Sequence, residues 1–269
     1  MTPREREFIA KLCAARAGLS VPADKDYLLE SRLAPVARRE GFGSVAELVQ
    51  ALRGRADEVQ VWASVEAMTL PDTAFFRDGE VLEALWSALP AMAQRGSAPL
   101  RIWSAGCASG QEIYSLAMLL EERPIPGVQV ELFASDIAER QLEKAQAGVY
   151  SQFEVQRGLS ARRLIRHFEK RDEAFLLSRR VRQHVRWRRV NLVEDLTSLG
   201  QFDVVLCRHV LSGLTNEGRN RAVDGLVQAV APGGLLVLSP GDDVGDRLPT
   251  FLGVPGAFGG APTRRSAAA

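Results

Sequence analysis

The chain has 269 residues, of which 46% are hydrophobic and 25% are charged, and its formal net charge is +1. This composition is ordinary for a globular protein, and the balanced charge identifies no polyanionic partner. Three cysteines without a CxxC pair indicate neither a zinc knuckle nor a disulfide framework. The charged N-terminus lacks a signal peptide, and no apolar run approaches the ~18 residues of a membrane span. We therefore expect a cytoplasmic protein with no metal site and no membrane insertion.

Residues 1–70 carry apolar side chains at helical spacing, for example Phe8 and Leu12. Gly18 and Gly41 stand where helices are expected to end. No strand-like alternation occurs in this region. The pattern predicts a helical N-terminal domain over residues 1–70.

From about residue 98 onward, short apolar runs alternate with helical segments. This rhythm is typical of an α/β fold with a doubly wound parallel sheet, which we place in residues 71–250. The predicted strands are Leu100–Ser104, Val130–Ser135, Phe202–Cys207 and Leu235–Leu238, and the predicted helices are Glu112–Glu121, Ala138–Ala147 and Asn216–Val230.

Residues 150–190 interrupt this rhythm. Ser160–Phe168 is predicted to be helical, and the extended segments Ala174–Leu177 and Val181–Val190 are predicted to pair as an antiparallel hairpin. A turn is expected at Pro232–Gly234. Residues 251–269 are rich in Gly, Pro, Ala and Arg, so we expect a disordered tail there.

The loop Ser104-Ala-Gly-Cys-Ala-Ser-Gly110 follows the first predicted strand and precedes a helix. Gly106 and Gly110 would let the backbone approach a ligand beside free helix N–H groups, although an ordinary tight turn explains the spacing equally well. Asp136 follows the second strand, where a carboxylate can accept hydrogen bonds from a ribose or cap the next helix. The pattern favours an adenosine-type ligand without separating S-adenosylmethionine from NAD.

The segment Arg101–Ser115 closely resembles the cofactor motif of the chemotaxis receptor methyltransferases, the CheR family. Thr73-Ala-Phe-Phe-Arg77 is similar to that family's TxFFR motif. Further similar segments are Phe133–Ile137, Asn191-Leu192, Cys207-Arg208 and Pro232–Gly234. The resemblance implies a helical domain, a class I (Rossmann-like) methyltransferase domain with an inserted β-subdomain, and methylation of glutamate side chains on receptor helices. It also implies S-adenosyl-L-methionine as cofactor and S-adenosyl-L-homocysteine as product.

The resemblance assigns roles to individual residues. Thr73 and Arg77 are expected at the methionine carboxylate, with Arg77 as the candidate catalytic residue and a surface ion pair as its alternative role. Asp136 is expected at the ribose. Glu112 is expected in the cofactor loop, and its alternative role is a first-turn acid favoured by the helix dipole. The other expected cofactor contacts are Gly106, Gly110, Asn191, Leu192, His209 and Val210.

Several positions depart from the family pattern, namely Pro71, Gln111, His209, Gly213 and Ser239–Asp242. Gly213 stands in place of a tyrosine that the family uses near the transferred methyl group, and His209 replaces an asparagine. These departures raise an alternative function. The chain would then be a weak or inactive relative that serves as a cofactor-sensing or protein-binding module.

Residues 157–189 contain 12 Lys/Arg against 3 Asp/Glu. This charge favours docking on an acidic helical receptor domain, with a solvated surface as the ordinary alternative and nucleic acid as a weaker one. The turn Glu169–Ala174 is short and lacks glycine, so we expect recognition that is independent of a receptor's C-terminal pentapeptide. A monomer is expected.

Overall fold

The computed structural model describes residues 1–21, 26–54, 57–94, 99–242, 244–251 and 254–259. It contains two compact units. One is Met1–Leu70 with Ser212–Ala222, and the other is Pro71–Leu211 with the described residues from Val223 onward. The sequence pattern places residues 212–222 with the predicted sheet, because they lie between two of its strands, whereas the structure groups them with the helical unit.

Four helices form the first unit: α1 (Pro3–Ala17), α2 (Asp26–Arg39), α3 (Val45–Arg53) and α4 (Glu58–Ala67). A capping box of Thr2 and Glu5 begins α1, and Gly18 ends it in the left-handed conformation with φ 64°. The helices bury an apolar core that includes Ile9, Leu33, Leu48 and Val65. The predicted helical domain is confirmed.

A seven-stranded sheet organises the second unit. In spatial order its strands are β6 (Val185–Arg189), β2 (Val130–Asp136), β1 (Leu100–Ala105), β7 (Phe202–Cys207), β8 (Val230–Leu238), β10 (Ala257–Gly259) and β9 (Thr250–Phe251). The strands from β6 to β8 are parallel, and β10 is antiparallel to both of its neighbours. The order reverses between β1 and β7, and in such sheets ligands bind beyond the carboxyl ends at that point. The predicted α/β, Rossmann-like class is confirmed.

Helices cover the sheet and bury its apolar side chains. Ile102, Leu132 and Val204 belong to one core cluster with side chains of the helices α5 (Gly79–Ala93) and α6 (Gln111–Glu122). The Trp103 ring packs against the Phe202 ring, with 5.2 Å between their centroids. In the described ranges, none of the helices combines the length and apolarity that a membrane crossing needs. The helices of this unit are α5 (Gly79–Ala93), α6 (Gln111–Glu122), α7 (Glu139–Ala147), α8 (Gln152–Gln156), α9 (Ala161–His167), α10 (Arg179–Arg182) and α11 (Asn216–Ala229), whose first residues belong to the helical unit.

The insert differs from the predicted hairpin. A separate antiparallel sheet has the order β3-β5-β4, with β3 at Val149–Ser151, β4 at Phe168–Arg171 and β5 at Ala174–Leu177. The predicted partner within Val181–Val190 instead becomes β6, which pairs in parallel with β2. The pairing of Val181–Val190 with Ala174–Leu177 was therefore wrong. Alternation predicts a strand but does not identify its neighbour.

The end of the chain also differs from expectation. Val230–Leu238 is one strand that runs through the predicted Pro232–Gly234 turn, and the extra residues are accommodated by a register shift against β7. Within the predicted tail of residues 251–269, Ala257–Gly259 pairs with β8. Tail residues 260–269 lie outside the described residues.

Candidate functional site

The loop between β1 and α6 is built around two glycines with left-handed backbone. At Gly106 (φ 75°), a Cβ would lie 2.4 Å from the nearest side-chain carbon of Val210. At Gly110 (φ 85°), a Cβ would lie 2.7 Å from the Trp187 ring. Neither position has room for a side chain, so the loop can follow this path only with glycine.

Asp136 fixes the middle of this loop from the end of β2. Its carboxylate accepts hydrogen bonds from the backbone N–H of Ala108 at 2.8 Å and of Ala138 at 2.9 Å. Burial raises the pKa of Asp136, and these N–H groups oppose the rise. A carboxylate has about four acceptor positions, so Asp136 keeps capacity for the hydroxyls of a ribose. Contact with the start of α7 and a ribose contact are thus compatible.

A small pocket lies beside the loop, at the carboxyl end of the sheet. It brings together five of the residues that the sequence singles out, namely Thr73, Arg77, Gly106, Glu112 and His209. Its other lining residues are Asp72, Ala74, Cys107 and Arg208. Gly110, Asp136, Asn191, Leu192 and Val210 do not line this pocket, although Val210 packs against Gly106.

Arg77 forms an ion pair in the structure. Its guanidinium lies 2.9 Å from the carboxylate of Asp72 and also donates to the Asp72 carbonyl at 3.3 Å. Arg157 binds the second oxygen of Asp72 at 3.0 Å. The hydrogen bond from Arg157 lowers the pKa of Asp72, burial opposes the shift, and Arg77 adds to it. The expected alternative role of Arg77, an ion pair, is therefore present inside the pocket.

Arg208 is a buried cation that we did not assign to the site from the sequence, where it appears only within the Cys207-Arg208 pair. Its side chain is 1% exposed. It donates to Glu112 at 2.8 Å, to Asp78, and to the carbonyl of Arg77 at 3.5 Å. Burial raises the pKa of Glu112, and the charge of Arg208 opposes that rise. The Nε atom of Arg208 has no hydrogen-bond partner within the described ranges.

His209 lies at the same pocket in a left-handed conformation, with φ 60°. Its backbone N–H donates to the Ser239 hydroxyl at 2.6 Å. Its buried Nε2 makes no hydrogen bond to any described residue and lies 3.7 Å from the Asp78 carboxylate. Burial lowers the pKa of His209, and the charges of Arg77 and Arg208 lower it further. The imidazole is therefore neutral at pH 7.

The pKa of His209 predicts a pH-dependent contribution to stability. Between its lowered folded pKa and its ordinary value of 6.5, the unfolded chain binds a proton here that the folded protein does not. The free energy of unfolding therefore decreases through His209 as pH falls below about 6.5, by at most about 1.4 kcal/mol per pH unit. Between pH 7.5 and pH 5.5, the free energy of unfolding measured with urea should decrease less in His209→Asn than in the parent protein. An equal loss in both proteins would contradict this.

Strained backbone is concentrated around the pocket. Five non-glycine residues in the described chain have positive φ, and four of them are at or next to the pocket: Phe76, Asp78, Ala108 and His209. Such conformations cost on the order of 1–3 kcal/mol each and cluster where function maintains them. The strain supports this pocket as the functional site.

Asn191 and Leu192 follow β6 and lie near Asp136, whose carbonyl accepts a hydrogen bond from the N–H of Val190 at 3.1 Å. The side chain of Asn191 donates to Glu194 at 3.0 Å, and both predicted adenine neighbours are buried. In the described ranges, no group of three or more His, Cys, Asp or Glu residues has the arrangement of metal ligands.

The residues present fit a ligand with a carboxylate at one end. The cations Arg77 and Arg208 line the pocket, and Asp136 supplies acceptors farther along the same edge of the sheet. A guanidinium suits a carboxylate, and a carboxylate suits a diol. This is the distribution that an amino-acid–nucleoside conjugate such as S-adenosylmethionine requires.

Comparisons with known families agree over both units. The family model described as the CheR methyltransferase SAM (S-adenosylmethionine) binding domain matches residues 71–251. The model described as the CheR methyltransferase all-alpha domain matches residues 4–65.

Individual relatives are similar over most of the chain. A chemotaxis protein methyltransferase 1 of Pseudomonas aeruginosa is 34% identical over 241 residues, which are 87% of this chain and 86% of the relative. A chemotaxis protein methyltransferase of Vibrio parahaemolyticus is 31% identical over 250 residues, 91% of this chain and 90% of the relative. A solved glycopeptide N-methyltransferase, MtfA complexed with SAM, is 13% identical with a TM-score of 0.37, and the match covers 63% of this chain and 58% of that one. The family assignment rests on the sequence matches and not on the solved structure.

Proposed function

The chain belongs to the CheR methyltransferase family, and from this membership we propose that it methylates glutamate side chains on chemoreceptor proteins. Its cofactor is S-adenosylmethionine, since the SAM binding domain model spans residues 71–251. The observation that supports the proposal most strongly is the joint match of both domains, together with a pocket that gathers five of the expected cofactor residues. The product would be S-adenosylhomocysteine. We propose that the protein acts in the cytoplasm as a monomer.

The reaction needs positioning rather than proton transfer. The cofactor supplies a methyl group that is activated by a sulfonium charge. A glutamate with a pKa near ~4.3 is already ionised at pH 7, so no general base has to activate it. The protein has to align the carboxylate oxygen with the methyl carbon and exclude water.

The proposed roles follow the pocket. Thr73 and Arg77 hold the carboxylate end of the cofactor, and Arg208 fixes this end by bonding the Arg77 carbonyl and Glu112. Asp136 holds the ribose. Asn191 and Leu192 flank the adenine.

The basic insert is the proposed surface for an acidic receptor helix. A cavity of about 390 Å³ in the insert is lined by four arginines and one glutamate, among them Arg166, Arg179 and Arg182. Arg166 and Arg182 donate hydrogen bonds to backbone carbonyls, and neither forms an ion pair with a described residue. We propose that recognition does not need a receptor pentapeptide, because the β4–β5 turn is short and lacks glycine.

A weak or inactive binding module remains the second candidate, and two observations favour it. His209 occupies the pocket where the family motif has asparagine. At Gly213, where the family motif has tyrosine, the structure has room for a Cβ, since no atom would lie within 4 Å of it, but the sequence supplies no side chain.

Two measurements test the proposal and separate the candidates. Calorimetry with S-adenosylhomocysteine should show micromolar binding. Radiolabelled S-adenosylmethionine and a purified receptor signalling domain should then give base-labile label on the receptor. A matched receptor with its acceptor glutamates changed to alanine is the control. Binding without label would favour the module, and absence of binding would contradict both candidates.

A further inference from the structure

The segment Asp72–Arg77, which carries the cofactor residues Thr73 and Arg77, is held in place by the inserted subdomain. Arg157 forms an ion pair with Asp72 at 3.0 Å. The backbone at Gly158 passes so close to Phe75 that a Cβ would lie 1.7 Å from the Phe75 carbonyl oxygen. Two aromatic rings of the insert, those of Tyr150 and Phe168, pack edge-on against the Phe75 ring at 5.0 and 5.5 Å.

Arg163 on α9 contacts the next residue of this segment. Its guanidinium carbon lies 3.8 Å from the centroid of the Phe76 ring, which is a close cation–π contact. Phe76 has φ 49°, a conformation that is unfavourable for a bulky residue. Its N–H donates to the buried hydroxyl of Ser115 at 2.9 Å. Phe76 is therefore held by a hydrogen bond from its backbone to Ser115 and by the cation of Arg163 over its ring.

The guanidinium of Arg163 is itself fixed from α6. Glu122 accepts hydrogen bonds from Arg163 at 3.0 and 3.2 Å, and from the buried His167 at 2.9 Å if that nitrogen carries the proton. Glu122 and Arg163 are only 14% and 25% exposed, so solvent screens the pair weakly. Burial acts to raise the pKa of Glu122, but the hydrogen bonds from Arg163 and His167 outweigh it, and the carboxylate stays ionised.

We infer that Arg163 is a positioning residue for the cofactor pocket. It keeps Phe76 in the left-handed conformation and thereby holds the adjacent Arg77 at the pocket. Arg163 does not line the pocket itself and contacts this segment at the Phe76 ring. This inference rests on the proposed function only through the shared cofactor, because the test below needs no methyl acceptor.

The test is the dissociation constant of S-adenosylhomocysteine, measured by calorimetry on the full chain. Arg163→Met is expected to weaken binding about 5- to 10-fold, which corresponds to the loss of one partly buried cation–π contact. Arg163→Lys keeps a cation over the ring and should bind within about threefold of the parent protein. Arg162→Met, at the exposed neighbour on the same helix, is the matched control and should bind like the parent.

A double-variant cycle separates positioning from a general loss of stability. Phe76→Leu removes the ring, so adding Arg163→Met to it should weaken binding by less than twofold more. Additive effects, or an unchanged constant in Arg163→Met, would overturn the inference. If Arg163→Met does not fold, Glu122→Gln, which loosens the guanidinium of Arg163, must bind more weakly than the Arg162→Met control while melting within a few degrees of it. Parent-like binding in Glu122→Gln would then overturn the inference.

Discussion

Replacing Arg208 by methionine is expected to lower the free energy of unfolding of the methyltransferase unit by about 3–5 kcal/mol. The side chain is 1% exposed and bonds Glu112 and Asp78. Methionine fills part of the volume but leaves the carboxylate of Glu112 buried without its partner. Removing one member of a buried ion pair costs more than the pair contributes, because the remaining charge stays desolvated. Urea unfolding followed by circular dichroism measures the change.

The pH dependence of this loss identifies its cause. Burial already raises the pKa of Glu112, and without Arg208 only the smaller effect of the Arg77 charge opposes that rise. The folded variant then binds a proton at Glu112 that the unfolded chain releases, so its stability falls as pH rises. The difference between variant and parent should therefore be larger at pH 8 than at pH 5.5. A difference independent of pH would indicate a packing defect instead.

Two further variants serve as controls for Arg208→Met. Arg247→Met breaks a surface ion pair with Asp224 and should cost at most about 1 kcal/mol. The double variant Arg208→Met/Glu112→Gln should recover much of the loss, since it leaves no buried charge on either side. Equal losses in Arg208→Met and Arg247→Met would show that burial does not matter here.

The local sequence pattern predicts a helix or strand well where the periodicity of apolar residues is clear. Alternating apolar runs and helical spacing locate β1, β2 and β7 within one or two residues, because each element buries a continuous apolar face. The sequence is less informative about pairing. Val185–Arg189 is recognisable as a strand, yet its partner β2 is about fifty residues away, and the antiparallel alternative is nearer in sequence.

Short and glycine-rich strands escape prediction for a different reason. The strand Ala257–Gly259 consists of one phenylalanine between an alanine and a glycine. It is too short to show an alternation of apolar and polar residues, so its composition resembles that of a disordered tail. It becomes a strand because the edge of β8 offers unpaired backbone groups, which the sequence of the segment itself does not reveal.

The candidate site shows the same division. Motif residues such as Thr73, Arg77 and Gly106 are identifiable from the chain and meet at one pocket. The role of Arg208 cannot be identified from the chain, because its partners Glu112 and Asp78 lie 96 and 130 residues away. Only the fold brings the three side chains together and buries the guanidinium. Long-range charge burial is a tertiary property, so it becomes visible only in the structure.

Replacing Asp136 by asparagine is expected to raise the dissociation constant of S-adenosylhomocysteine about 10- to 100-fold. Hydrogen bonds to a charged group contribute roughly 1.5–3 kcal/mol, and each 1.4 kcal/mol is tenfold in affinity. The amide keeps one acceptor, but its NH₂ faces a backbone N–H or a ribose hydroxyl in place of an oxygen. Asp136→Ala should bind at least as weakly, because it removes both acceptors. Calorimetry at a temperature well below unfolding gives both constants.

The control has to separate a lost ribose contact from a lost backbone contact, because Asp136 also accepts hydrogen bonds from Ala108 and Ala138. Asp203 offers the match. Its carboxylate accepts a hydrogen bond from the N–H of Arg101 at 2.9 Å, but it lies near the start of β7, at the opposite end of the sheet. Asp203→Asn should cost similar stability and leave the dissociation constant unchanged. Unchanged affinity in Asp136→Asn would refute the ribose assignment. Equal weakening in both variants would show that carboxylate–backbone bonds, rather than a ligand contact, maintain the pocket.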